Sequence, residues 1–140
     1  MHTFTLVFLT ALALTTLIQI WLATRHIRHI RAHQNTVPEK FSSQINLADH
    51  QKAADYTCAK TRTGYPGVVL QVALLLIFTL GGGLNALNSF WANWLGDPLA
   101  HGMALIISTF LLMGIAEVPL SYYRTFVIEE QYGFNKMTRA

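Results

Sequence analysis

Three apolar stretches, each about as long as a bilayer is thick, limit what this chain can fold into. They cover residues 4–23, 66–87 and 101–120 of a 140-residue sequence. The first, FTLVFLTALALTTLIQIWLA, contains no Asp, Glu, Lys or Arg. The second, built around VVLQVALLLIFTLGGGL, has none either, and the third carries Glu117 alone. At 1.5 Å per residue, a helix of about 20 residues covers about 30 Å, the thickness of the hydrocarbon core. In lipid only helices and closed barrels satisfy their own backbone, and the alternating pattern of barrel strands is absent. The expected fold class is therefore all-α and integral to the membrane, with three transmembrane helices plus a cytoplasmic amphipathic helical segment. Composition agrees, since 12% of residues are charged against about 25% in ordinary globular chains.

The cations give a direction. Of ten Lys and Arg, seven lie in residues 24–65 and three follow the third stretch, as Arg124, Lys136 and Arg139. Residues 88–100, NSFWANWLGDPLA, have none. Three spans put the two cationic segments on one side, and the positive-inside rule makes that side the cytoplasm, with the N-terminus outside. Phe90, Trp91 and Trp94 then suit the outer interface. The first stretch is not expected to be a cleaved leader, because its basic flank follows it. The expected location is the plasma (inner) membrane. The net charge of +3 is thus placed for a membrane surface, and no nucleic-acid motif accompanies it.

Between the spans, helix 1 is expected to continue through TRHIRHIRAHQ and end before Val37-Pro38, since a residue preceding proline leaves the helical region. His26, His29 and His33 stand at i, i+3 and i+7, a spacing that could serve a metal. The interleaved Arg25, Arg28 and Arg31 repel a cation and no carboxylate is near, so the segment reads as a basic helix end at anionic headgroups. Residues 46–62 read as a cytoplasmic helix capped by Asn46 with Asp49 three residues on, ended by Gly64 and Pro66-Gly67. Cys58, the one cysteine, has no intramolecular partner and fits a reducing face as a small helix side chain. Gly81-Gly82-Gly83 is expected inside span two as a helix-packing contact, with local unwinding as the alternative. Pro119 predicts a kink in span three.

The chemistry is sparse. No His is followed by Glu, so HExxH is absent. A zinc cysteine pair, GxSxG, Walker A and GxGxxG are missing too. Glu117, at or near membrane depth, is a candidate for lining a cavity, with an interfacial position and a proton relay as alternatives. The tail holding Tyr132, Phe134 and Met137 has nothing evident to pack on, as if the chain stopped in mid-structure.

One stretch is far more specific. Residues 118–136, VPLSYYRTFVIEEQYGFNK, closely resemble the LPxSxYxTFVIEExxGFN signature of type 1 CAAX prenyl proteases, integral-membrane zinc metallopeptidases. The Val37-Pro38-Glu39 turn and Lys52-Ala53-Ala54-Asp55-Tyr56-Thr57 with Lys60 also resemble that family. Val118 stands where leucine is frequent, and Tyr132 where some members have His or Phe. The resemblance implies seven membrane helices around a water-filled chamber, with zinc held by an HExxH helix and a downstream Glu, all beyond this chain. It implies that residues 1–140 are an N-terminal transmembrane domain, walling the chamber and supporting the peptidase domain and its protein or peptide substrate. Pro119, Ser121, Tyr123, Thr125, Phe126, Glu129, Glu130, Gly133, Phe134 and Asn135 become the family-specific residues. No catalytic or metal-binding residue is expected here, so the chain alone should bind no zinc and cleave nothing. Its expected partners are the lipid bilayer, its own C-terminal peptidase domain and the substrate. The competing readings are a complete non-catalytic three-helix subunit for assembly or lipid binding and, more weakly, a transport fragment using Glu117.

Overall fold

The computed structural model describes residues 2–135, apart from the side chain of Lys40. Among them every regular element is helical: α1 (Thr3–His33), a 3-10 turn (Glu39–Phe41), α2 (Leu47–Arg62), α3 (Gly64–Thr79), α4 (Gly83–Ala92), α5 (Pro98–Tyr123) and a π-helical segment (Arg124–Glu129). Three stretches are long and apolar enough to cross a membrane, Thr3–His33, Leu47–Thr79 and Pro98–Glu129. At 31 residues, α1 is about 46 Å long and outruns a bilayer core by several turns. It ends at His33, short of Val37-Pro38, and the chain turns through residues 34–38.

The second span departs from expectation at both ends. The α2 helix ends at Arg62, as expected, but Gly64 and Pro66-Gly67 open the next helix and do not form a loop. Only Thr63 intervenes, and α3 begins at Gly64, so Pro66 falls in a first turn, where a missing N–H costs nothing. The Thr63 hydroxyl donates to the Lys60 carbonyl at 2.7 Å and its N–H to the Ala59 carbonyl at 3.1 Å, which caps the end of α2. At the far end the glycine run terminates the helix and does not lie inside it. The N–H groups of Leu80 and Gly81 both reach the Leu76 carbonyl, and Gly82 takes φ +79°, a conformation that suits glycine. A Cβ on Gly81 or Gly83 would stand 2.8 or 3.0 Å from the Ile77 carbonyl oxygen. The chain therefore turns so tightly that side chains have no room, and α4 starts as a separate helix.

The chain divides into two compact units, one formed by residues 1–66 with 122–140 and the other by Gly67–Ser121. In the first, α2 packs against α1 and against the π-helical segment. All the buried residues described belong to it: Ile27, Ala54, Cys58, Thr63 and Ile128. Ala54 and Cys58, one turn apart, form the inner stripe of α2, while Lys52, Asp55, Lys60 and Arg62 are exposed, so α2 is the amphipathic segment expected. In the second unit nothing described is buried. Trp91 Nε1 of α4 donates to Ser108 Oγ of α5 at 3.0 Å, and a Cβ on Gly67 would meet Leu120 of α5 at 3.2 Å. Pro119 lies within α5, which runs on to Tyr123.

Candidate functional site: the capped signature and the α1–α2 groove

Two features of the first unit concentrate its polar and aromatic contacts. The first is the end of the signature stretch. Gly133 takes φ +77°. Its N–H donates to the Glu130 carbonyl at 3.0 Å, and the Phe134 N–H reaches back to the Glu129 carbonyl at 2.8 Å. This pair of bonds around a left-handed glycine is the Schellman helix ending. The Asn135 N–H also reaches the Glu129 carbonyl, at 3.1 Å. Past this turn the Phe134 ring lies against Tyr56 of α2 at 4.5 Å, and Tyr132 meets the same ring edge-on at 5.6 Å. Lys60 Nζ sits over Tyr56 at 5.5 Å from the ring centre. The tail thus has a partner after all, and the expectation that Tyr132 and Phe134 have nothing to pack on is overturned. Met137, with Lys136 and Arg139, lies outside the described residues.

Upstream, Thr125 and Phe126 are half-buried in the π-helical segment and Ile128 is buried. A π turn adds one residue to the helical circuit, so it rotates everything after it relative to an unbroken α-helix. Tyr122 and Phe126 stack at 4.6 Å across the transition. Pro119, Ser121 and Glu117 belong to the second unit and are exposed on α5. Of the ten signature residues, the structure brings Glu129, Glu130, Gly133, Phe134 and Asn135 together at the cap. Sequence reasoning missed Tyr56 as their anchor, because a lone Tyr in a polar helix carries no signal of its partner.

The second feature is a groove of about 350 Å³ between α1 and α2, lined by His26, His29 and His33 from one helix and His50 from the other. His33 Nδ1 is 2.8 Å from the His29 carbonyl and His50 Nε2 is 3.3 Å from the His33 carbonyl. A carbonyl can only accept, so these two ring nitrogens donate. Gln51 Nε2 donates to Asn35 Oδ1 at 3.0 Å, which closes the same end. The α2 helix is set by its cap, with the Asp49 N–H on Asn46 Oδ1 and Asn46 Nδ2 on Asp49 Oδ2, both at 2.8 Å. A zinc ion would not fit this donor set. Two imidazole N–H groups are committed to carbonyls, no carboxylate joins the lining, and no three His, Cys, Asp or Glu among the described residues could hold a metal.

These contacts explain why the sequence is shaped as it is, and comparison with known proteins shows what it is similar to. A family model described as the CAAX prenyl protease N-terminal domain, with five membrane helices, matches residues 26–140. The chain belongs to that family. It is 31% identical over 113 residues to a CAAX prenyl protease 1 homolog of Caenorhabditis elegans, covering 79% of this chain and 25% of the relative. To a homolog of Dictyostelium discoideum it is 30% identical over 111 residues, 74% of this chain and 25% of that one. The CAAX prenyl protease 1 of Saccharomyces cerevisiae is 25% identical over 115 residues, 75% of this chain and 25% of its own length. The chain therefore spans about a quarter of the curated relatives it matches. No solved structure matches it significantly. Family membership fits the all-helical, membrane-spanning fold, and the matched region includes both the capped signature and the groove.

Proposed function

We propose that this chain is the N-terminal membrane domain of a larger zinc metalloendopeptidase of the CAAX prenyl protease type. Its helices wall part of the enzyme's chamber, and its first unit anchors the polypeptide that leads into the peptidase domain. The observation that carries this reading is the capped signature. Gly133 turns the chain, and Phe134 fastens it to Tyr56 of α2, so whatever follows leaves from a fixed point. A wall helix also needs an apolar face turned away from the water, toward lipid or further helices, and α5 has one, with Phe110 71% and Ile115 64% exposed. In this reading zinc and the reacting groups belong to the downstream domain, and the substrates are proteins or peptides like those implied by the relatives' name.

The distribution of Lys and Arg supports an N-out, C-in topology, so that the capped signature and the groove face the cytoplasm; the membrane in this reading is the plasma membrane. The test is the parent polypeptide, purified with this segment intact and assayed on a prenylated peptide. Cleavage that a zinc chelator abolishes and added zinc restores supports the proposal, while a parent without zinc-dependent cleavage sinks it. Residues 1–140 alone are expected to neither retain zinc nor cleave. A fluorescent protein fused after Ala140 should fold and fluoresce, and alkaline phosphatase at the same place should stay inactive. The reverse pattern overturns the topology.

A further inference from the structure

We propose that the groove between α1 and α2 binds the phosphate of an anionic lipid headgroup. The first argument is composition. Four of the chain's six histidines line this one groove, although nothing in the sequence around His50 links it to the other three. No carboxylate joins the lining. The acids nearest in sequence, Glu39, Asp49 and Asp55, lie outside it, and Asp49 is engaged by the Asn46 cap. A groove that gathers imidazoles, excludes acids and cannot hold a metal is built for an anion.

The second argument is size and floor. The Ala54 and Thr57 side chains on the α2 side are small. They leave about 350 Å³, room for a phosphate with its glycerol and more than a bare ion needs. Two of the imidazoles, His33 and His50, already donate to carbonyls, which holds their rings in place. His29 and His26 are exposed one and two turns toward the membrane.

The third argument is depth. Arg25 lies over the Trp21 ring at 5.6 Å, and Thr24 Oγ1 meets the Tyr65 hydroxyl at 2.9 Å. Trp and Tyr of this kind mark the membrane interface. His26 is five residues past Trp21, or about 8 Å along the helix, and His29 about 12 Å. The headgroup layer extends about 5–8 Å beyond the hydrocarbon on each side. His26 therefore stands at the outer edge of the headgroup layer and His29 about one helical turn beyond it, with side chains that lean back toward the membrane because Cβ atoms tilt toward a helix N-terminus. Basic pockets beside membrane helices at this level are known to take anionic headgroups. The placement does not depend on which side of the membrane is the cytoplasm.

Arg28 and Arg31 provide the control. With 3.6 residues per turn they fall on the opposite side of α1 from His26, His29 and His33, and neither lines the groove. General attraction to an anionic surface uses all of these cations alike, whereas a site uses only the histidines.

The experiment places the full chain in phosphatidylcholine nanodiscs with increasing phosphatidic acid and follows the His33 and His50 ring resonances by NMR. These should shift to saturation. The H26Q/H29Q pair should raise the half-saturating lipid fraction by about thirtyfold, taking a factor of about five per basic side chain. Gln keeps helix propensity high, and a Cys58 that stays closed to a thiol reagent shows that the fold has survived. The R28Q/R31Q pair should leave saturation of the two resonances in place. Shifts that never saturate, or equal weakening by both double variants, overturn the site in favour of diffuse attraction. Inorganic phosphate that saturates the same resonances at equal concentration overturns the lipid as the ligand.

Discussion

The two units of this chain follow different rules. In the unit formed by residues 1–66 and 122–140, side chains find each other. Ile27, Ala54, Cys58 and Ile128 are buried, Tyr56 gathers Tyr132 and Phe134, and His50 caps the end of α1. In Gly67–Ser121 nothing described is buried, and large apolar residues such as Phe110 and Leu111 stand open. Water would not tolerate so much contiguous apolar surface. The second unit is stable only with lipid or further helices around it, so its sequence is constrained by hydropathy and by a few backbone turns. The first unit depends on specific side-chain contacts, and the capped end of the signature lies there.

The largest expected effect tests that contrast directly. Phe110→Asp on the open face of α5 should cost about 3 kcal/mol of membrane insertion, seen as a loss of span three in a glycosylation-mapping assay. An exposed residue of a soluble helix would tolerate the same change, so unaffected insertion would break the comparison.

Next is Ile128→Ala, which removes a buried side chain where the π-helical segment joins α2. It should destabilise the first unit by about 2 kcal/mol and speed the reaction of Cys58 with a thiol reagent, because Cys58 is buried in the same unit. If Cys58 reacts no faster, that unit does not share one core.

Gly133→Ala should cost about 1 kcal/mol through the left-handed backbone alone, since its Cβ would meet nothing nearer than Lys52 Nζ at 3.8 Å. Urea titration in detergent micelles, followed by Tyr56 ring signals, measures it. The smallest effect is expected from Asn46→Ala, about 1 kcal/mol or less for an exposed helix cap, read as fraying of the first turn of α2 by amide exchange.

Much of the second unit was legible from the sequence because hydropathy is a local property. Each apolar stretch declares its own span, whatever the others do. The glycine run was visible too, but its role was not. Gly81-Gly82-Gly83 can line a packing face or end a helix, and the choice rests on the left-handed φ of Gly82 and the crowding around Ile77. The start of α3 went the same way. Glycine and proline around residue 65 look like a stop, yet a proline in a first turn is no obstacle.

In the first unit the sequence named the signature and the Asn46 cap, since both depend on residues a few positions apart. It also placed His26, His29 and His33 on one face by their spacing. Only the tertiary structure brought His50 to that face from 17 residues away and set Phe134 on Tyr56 from 78 positions along the chain. Contacts of that kind depend on how two helices dock, and docking is decided by the small side chains of Ala54 and Cys58 and by the turn between α1 and α2. Local periodicity determined which segments are helices and which of them enter the membrane, while long-range packing decided where a groove and an anchor would form.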